Sequence, residues 1–558
     1  MSSGAAAPPA PVAATAARLR RLRDALLDVR TAYVLGALLL AQWIGVLALA
    51  LTVRHNGWLY YAGGDQIWHY SGAYLLAHGD LPPTYVSYGW SLLLLPIAPF
   101  AGPNLVSALP AMVLLNTLVL LPVALLCVYG IAARIAGRLF GYWTAALWIA
   151  VPYLGIVFLE PGYHQKYTEL TLPQLLGLTS VPDFPSMVAL LVGAYFCLRA
   201  LDSATWYAAA AAGLATGYSI AIKPSNSIFL VAPLLTLLVL RWRALLPFGV
   251  ALAPALVTLA LWKYRGLGEL AAAPPEGLRL AGADDLLRRV HNAGELNSWE
   301  HLHQVLLALR EHFWISRVME WLPVGGAVAL LARSRRGFVL VVTWFAVYLL
   351  TKGTYIPASV EDASFWRILM PAFPAFVLLG ASVVLLVPGL RARPEGGALR
   401  LARRKRPFAL AAAVAVFVAA PLAVVAAVPP LHDGGRKAVR QGETLVPVSP
   451  DIALRASIEG DAVRLSWRSQ PAGGTHVFYR ILRTQGQSDA YCGGRPASAA
   501  DDCRIYMDAP AATHANSFLD RPGPGTWIYR IGVSANWLDD FRYGDVYVVS
   551  PPIAAVLP

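Results

Sequence analysis

The side chains best suited to chemistry are a few charged residues at the edges of long apolar runs. Asp65 stands in YYAGGDQIWHY (60–70), close to Trp68, Tyr70 and Tyr74, with His69 four residues on. A carboxylate held among aromatics has a tunable pKa, which suits a general base taking a proton from a hydroxyl near neutral pH. Flat rings beside it offer faces for stacking or for covering a pocket. Glu160, in EPGYHQKYTEL, and Asp183, in VPDFPS, are further candidate acids; the first stretch adds His164, Lys166 and Glu169. Lys223 in AIKPSN, Lys352 in LLTKGTY and Arg367 in FWRILMP lie where apolar runs end or begin. Cations at that depth suit an anion at the membrane interface. Arg367 can engage two oxygens of such an anion with its planar fork, and Lys223 supplies a point charge beside it. Each group also has a plainer reading. A boundary acid is ordinarily solvated, Asp183 suits the N-terminal end of a helix dipole, and long cationic stems reach the interface as anchors. His69 and His164 are candidate ligands, but no His/Cys spacing resembles a structural zinc site, so no metal site is assigned.

The elements that must position these groups are membrane helices. The chain of 558 residues is 57% hydrophobic and 14% charged, with a mean hydropathy of +0.54, which excludes an ordinary soluble domain. A helix spans a bilayer with roughly 20 apolar residues, all its backbone groups satisfied internally. Apolar runs predict spans near 32–53, 107–130, 139–158, 184–201, 205–222, 226–240, 245–262, 321–333, 337–352, 369–389 and 408–428, the eighth being short. The fold class expected is a polytopic α-helical membrane protein with about eleven helices, plus a C-terminal all-β sandwich.

The net charge of +13 follows the same plan. Arg18 to Arg30, Arg134 and Arg138, Arg199, Arg241 and Arg243, Arg333 to Arg336, and the run ALRLARRKRP fall in every second loop, which places them in the cytoplasm. The basicity therefore reads as topology and not as nucleic-acid binding. A cytoplasmic tail over 1–31 precedes a membrane domain over 32–430, whose exterior loops are 54–106, 159–183, 263–320 and 353–368. The first of these holds an amphipathic helix, QIWHYSGAYLLAHG, expected to lie at the interface.

From 450 to 558 the chain changes character, after a linker over 431–449. DAVRLSWRS, HVFYRILRT and GTWIYRIGVSANW are alternating strands between Gly, Pro and Asp turns. VRLSW, FYRI and TWIYRIGV resemble the fibronectin type III pattern, which implies that Trp467 and Tyr529 fill the core of a sandwich. Cys492 and Cys503 lie in this domain and form a candidate disulfide if it faces an oxidising compartment, whereas Cys127 and Cys197 lie inside apolar runs.

GGDQ (63–66), AYLLAHGDLPP (73–83), YGW (88–90), VPDFPSMVALLVGAYFCLRAL (181–201), AIKPSN (221–226) and FWRILMPAFPAF (365–376) follow one another on the predicted exterior side. Together they resemble the glycosyltransferase-C superfamily, whose members take a sugar from a polyprenyl-phosphate carrier outside the cytoplasm. That resemblance implies Asp65 as base, Asp183 and Glu160 as supporting acids, and Lys223, Arg367 and Lys352 around the donor phosphate, with His69, His164, Trp68 and Tyr70 lining the substrate. Some members use an acid of the second loop for a metal, so a divalent ion is an open expectation and no other cofactor is implied. The partners implied are the lipid-linked donor, a glycan, lipid or protein acceptor, and membrane lipids, in a bacterial plasma membrane.

Three rivals stand beside this reading. A lipid-linked glycan polymerase or ligase also uses exterior cations and histidines. A transporter or flippase would place charges and helix breaks at mid-depth. A receptor-like scaffold would need one anchor and not eleven helices.

Overall fold

The computed structural model describes residues 21, 24–52, 65–77, 87–101, 105–202, 206–267, 271–272, 278–279, 296–361, 363–387, 406–427, 444–446, 448–468, 476–486, 488–489, 495–496, 503–505, 511–513, 515–536 and 546–558. Helices occupy all eleven predicted spans: α1 (Thr31–Thr52), α2 (Asp65–Ala77) and α3 (Tyr88–Leu94) of the first loop intervene before α4 (Leu121–Ala136), the second. Then come α5 (Arg138–Val157), α6 (Asp183–Asp202), α7 (Trp206–Ile222), α8 (Val231–Arg241), α9 (Leu245–Leu267), the amphipathic α10 (Trp299–His312), α11 (Ser316–Arg333), α12 (Thr343–Lys352), α13 (Ser364–Leu369), which continues toward Leu386, and α14 (Arg406–Val414), which continues to Ala427. Among the described residues, six helical stretches are long and apolar enough to cross a bilayer. One of them, Pro224–Trp262, carries two predicted spans, because Arg241 leaves helical geometry (φ −163°, ψ 66°) before a tight turn. The predicted spans outside these six stretches are shorter or less apolar; α7, at 17 residues, is buried along most of its length among its neighbours. The chain is thus a multi-pass membrane protein.

Polar contacts sort the bundle into two ends. At one, Asp202 pairs with Arg134 (3.2 Å) and Arg336, Arg138 donates to the Leu27 carbonyl (2.9 Å), Arg241 to that of Ala200 and Arg333 to that of Leu385 (3.3 Å). These are arginines from the alternate loops. At the other end of α6, about 30 Å away at 1.5 Å per residue, stands Asp183. Close helix packing rests on glycine: a Cβ at Gly326 would lie 2.1 Å from the Leu379 carbonyl oxygen, so α11 and the helix after α13 touch backbone to backbone.

Among the described residues the C-terminal β domain has, beside two short two-stranded sheets, two larger antiparallel ones. One orders β1 (Arg455–Glu459) and β2 (Ala462–Ser466) beside Ser517–Asp520; the other orders Ala511–Thr513, His476–Gln485, Gly525–Asn536 and Val546–Val549, with Ile553–Leu557 also on Gly525–Asn536. Alternation buries Val463 and Leu465 against Tyr479, Ile481, Tyr529, Ile531 and Val533, and Trp467 meets Tyr479 at 5.2 Å between ring centroids. Asp520 ties the sheets together: it accepts from Arg483 (2.7 and 2.9 Å) and from the Tyr529 hydroxyl (2.8 Å), and raises the phenol's pKa together with burial. Asp520→Ala strands the guanidinium and the phenol together. It is expected to cost this domain about 2–3 kcal/mol in denaturant unfolding; a change under 0.5 kcal/mol would discount the tie. Cys492 lies outside the described residues, as does the side chain of Cys503, so the expected disulfide does too.

Candidate active site

Asp183 opens α6 and its side chain is 0% exposed. The prolines around it, Pro182 and Pro185, restrict the chain just where the helix begins, and the Ser186 hydroxyl donates to the Asp183 carbonyl (2.8 Å). The carboxylate is divided between two cations. Oδ1 accepts from Lys223 Nζ, and Oδ2 from Arg367 Nε at 2.8 Å.

Each cation is delivered by a break in helical structure. Lys223 precedes Pro224, which disfavours the helical region for the residue before it; Lys223 is accordingly extended (φ −137°, ψ 102°) and caps the end of α7. Its surroundings are held by a relay in which Tyr348 donates to Asn226 (3.0 Å), Asn226 to Ser219 (2.8 Å) and Ser219 to the Ser186 carbonyl (2.9 Å). Arg367 lies in α13, whose N-cap Ala363 is left-handed (φ 63°), an unfavourable state for a residue with a Cβ. Neighbouring contacts fix that turn: the Tyr163 hydroxyl donates to the Val360 carbonyl and accepts from Trp366 Nε1 (3.1 Å).

Lys223 and Arg367 are 22% and 31% exposed, so the carboxylate is sealed while its partners keep an open side. Two formal positive charges and one negative leave the cluster at +1. A buried lone carboxylate would be costly; here it orders two cations, each of which keeps part of its side chain exposed.

The start of α2 is stitched to this cluster. Gln66, 0% exposed, accepts through Oε1 from both the Ser180 amide (3.2 Å) and the Ser180 hydroxyl (2.6 Å). Trp90 Nε1 donates to the Ser180 carbonyl (2.8 Å), and Ser91 Oγ to that of His69 (2.9 Å). A Cβ on Gly89 would fall 2.5 Å from the Ile222 amide nitrogen, so α3 lies directly on the end of α7 beside Lys223. All of YGW is therefore structural: Tyr88 and Trp90 are buried, and Gly89 permits backbone approach.

Asp65 is the first residue of α2; its side chain, like that of Trp68, lies outside the described residues. His69 and Tyr70 face the interior, and burial pushes the Tyr70 phenol pKa up. Tyr70 is thus a packing residue here and presents no open ring. Lys352 stands 5.2 Å from the Tyr355 ring centroid. Glu160 and His164 are exposed, and no hydrogen bond or ion pair among the described residues joins either to Asp183. Among the described residues no three His, Cys, Asp or Glu side chains cluster, and both oxygens of Asp183 already face cations, a donor set that fits an anion and not a metal.

A second polar group braces the loops. Glu361 accepts from Lys166 Nζ (2.8 Å) and from His312 Nε2, and the His312 ring stacks on Tyr163 with centroids 4.4 Å apart. His301 Nε2 donates to the Ala358 carbonyl (2.7 Å), so the polar face of α10 is partly docked on the loop before Arg367. The Lys166 ammonium, and after it His312, hold the Glu361 carboxyl below its usual range. A depressed carboxyl stabilises the fold above its unfolded value, near 4.5, and loses that contribution as pH falls through the folded value. Thermal stability in nanodiscs should therefore fall on acidification below that point, modestly because Glu361 is half exposed. Glu361→Gln should flatten this limb, and coincident limbs for the two proteins would count against the brace.

Gln66, Ser180, Trp90 and Glu361 carry contacts that sequence reasoning assigned to none of them. GGDQ and YGW were the only local signals, since Gln66 and Ser180 are 114 residues apart.

No protein-family model matches this chain, and no curated protein matches it. It is similar to two crystal structures of the Archaeoglobus fulgidus oligosaccharyltransferase. One is the apo form, at 13% identity and a TM-score of 0.34; the other is tethered to an acceptor peptide containing the NVT sequon, at 12% and 0.26. Each match covers 70% of this chain and 55% of the other, so the chain spans about half the length of the structures it matches.

Proposed function

We infer that this protein is a membrane glycosyltransferase that moves a sugar from a polyprenyl phosphate to an envelope glycan, lipid or protein acceptor at the exterior membrane face, with inversion. The observation that carries this reading is the partly open Lys223–Asp183–Arg367 cluster, net positive and placed at helix ends. A polyprenyl-phosphate sugar is a diester with one negative charge. When the bond between the anomeric carbon and the phosphate oxygen breaks, its electron pair leaves on that oxygen, and the product monoester approaches about two negative charges. Cations already held in place by Asp183 stabilise that growing charge without reorganising.

On the other side of the sugar, the acceptor oxygen attacks the anomeric carbon as its proton passes to Asp65, whose helix starts beside the loop that carries Asp183. A single displacement of this kind inverts the anomeric centre. Asp183, with both oxygens engaged, acts as the organiser of the cations and leaves the base role to Asp65. The strand order of the β domain, three strands facing a larger sheet, supports a fibronectin type III kind of sandwich, with Trp467 and Tyr529 in its core.

The test is incubation of membranes containing the chain with a panel of radiolabelled polyprenyl-phosphate sugars. Transfer from at least one donor is expected. If none is consumed, while inorganic phosphate and soluble sugar phosphates also fail to compete for a labelled lipid phosphate, the reading is wrong.

A further inference from the structure

We propose that Gln66 and Ser180 form a clasp that positions Asp65, making them positioning residues for the reaction; this rests on the reading of Asp65 as the base. Glycine brings no side chain to anchor a helix start, and the two residues before Asp65 in the sequence are Gly63 and Gly64, so it falls to a side chain of α2 itself to fix where the helix begins. Gln66 does so from one position further on. It is wholly buried, and its single carbonyl oxygen takes both donors of Ser180, while Trp90 takes the Ser180 carbonyl. Every polar group of Ser180 is thus committed. The clasp joins the first turn of α2 to a point three residues before Asp183, the residue that gathers Lys223 and Arg367.

A polar contact this buried is a poor choice for stability alone, since an apolar pair of the same shape can be nearly neutral in its place. What it supplies is direction. The two hydrogen bonds fix the angle at which the helix start meets the loop, and a misplacement of roughly 1 Å at a reacting group can cost about 10²-fold in rate. Among the described residues the Nε2 amide of Gln66 makes no hydrogen bond, so only its carbonyl end is used. A protonated glutamic acid offers that same acceptor.

The experiment uses the full chain in membranes, with a donor identified by the panel above, and separates kcat from the KM for that donor. Gln66→Leu, which removes both bonds, is expected to lower kcat about 100-fold, and Ser180→Ala, which keeps the backbone bond, about 10-fold, with KM within about twofold. Gln66→Glu should recover most of the loss. Adding Gln66→Leu to Asp65→Asn should cost nothing more, because the clasp acts through the group already removed. Wild-type kcat for Gln66→Leu alongside an inactive Asp65→Asn would overturn the clasp and leave the base assignment standing. Losses that multiply in the double variant would overturn it as well. Full activity of Asp65→Asn would remove the base assignment and the clasp together. If Gln66→Leu fails to accumulate in membranes, the same comparisons are made with Ser180→Ala.

Discussion

Asp65→Asn is expected to lower the transfer rate by about 10²- to 10⁴-fold, the range over which a positioned general base contributes, with little change in donor binding. The amide keeps the size and polarity of the acid and removes only its capacity to take a proton. The helix start it occupies remains fastened by Gln66 to Ser180, so the variant is expected to fold. Initial rates at saturating donor, compared with donor binding by competition, separate the two quantities. Transfer at the full rate would move the base elsewhere, and a loss confined to KM would make Asp65 a binding group.

The second large effect is at Asp183. Asp183→Asn removes the charge that Lys223 and Arg367 share and leaves two like charges side by side at a partly open site. Breaking a fully buried pair typically costs 3–5 kcal/mol; because both cations retain some access to water, about 3 kcal/mol is expected here, read by thermal unfolding in nanodiscs. Activity should fall in parallel, since the guanidinium and ammonium lose the group that aims them. Asp183→Glu, longer by one methylene in a site with no exposed surface, is expected to recover charge balance while misplacing both cations. A variant with Asn at 183 that unfolds at the wild-type temperature would mean that the cations find other partners.

Much of the scaffold was legible because bilayer crossing depends on run length and hydropathy, both written locally in the chain. Helices stand at all eleven predicted spans, and the acid and cations singled out at their ends do lie at helix ends. What the sequence hid was pairing. Asp183 and Lys223 are 40 residues apart, Asp183 and Arg367 184, and Gln66 and Ser180 114, and no local pattern marks a partner at such a remove. Tyr70 was hard to read for a related reason. Tyr70 beside an acid reads as a stacking platform, yet its ring packs into the interior, since a tyrosine offers an apolar body as readily as an open face. The surroundings of α10 were hidden likewise, because helical periodicity shows which residues share a face but not what that face meets; His301 and His312 meet the loop at 358–361.

The spacing of those partners also sets a timetable. Residues enter the chain at roughly 5–20 per second, so Lys223 emerges within about 10 s of Asp183, while Arg367, 184 residues on, follows only after about 10–40 s. For that interval the nascent chain holds a carboxylate at the head of α6 with Lys223 as its one finished counter-ion from the cluster. The lysine is therefore the first counter-ion available to that carboxylate, and the arginine arrives last, converting a neutral pair into a cluster of net charge +1 only when the helix that begins at Ser364 is made.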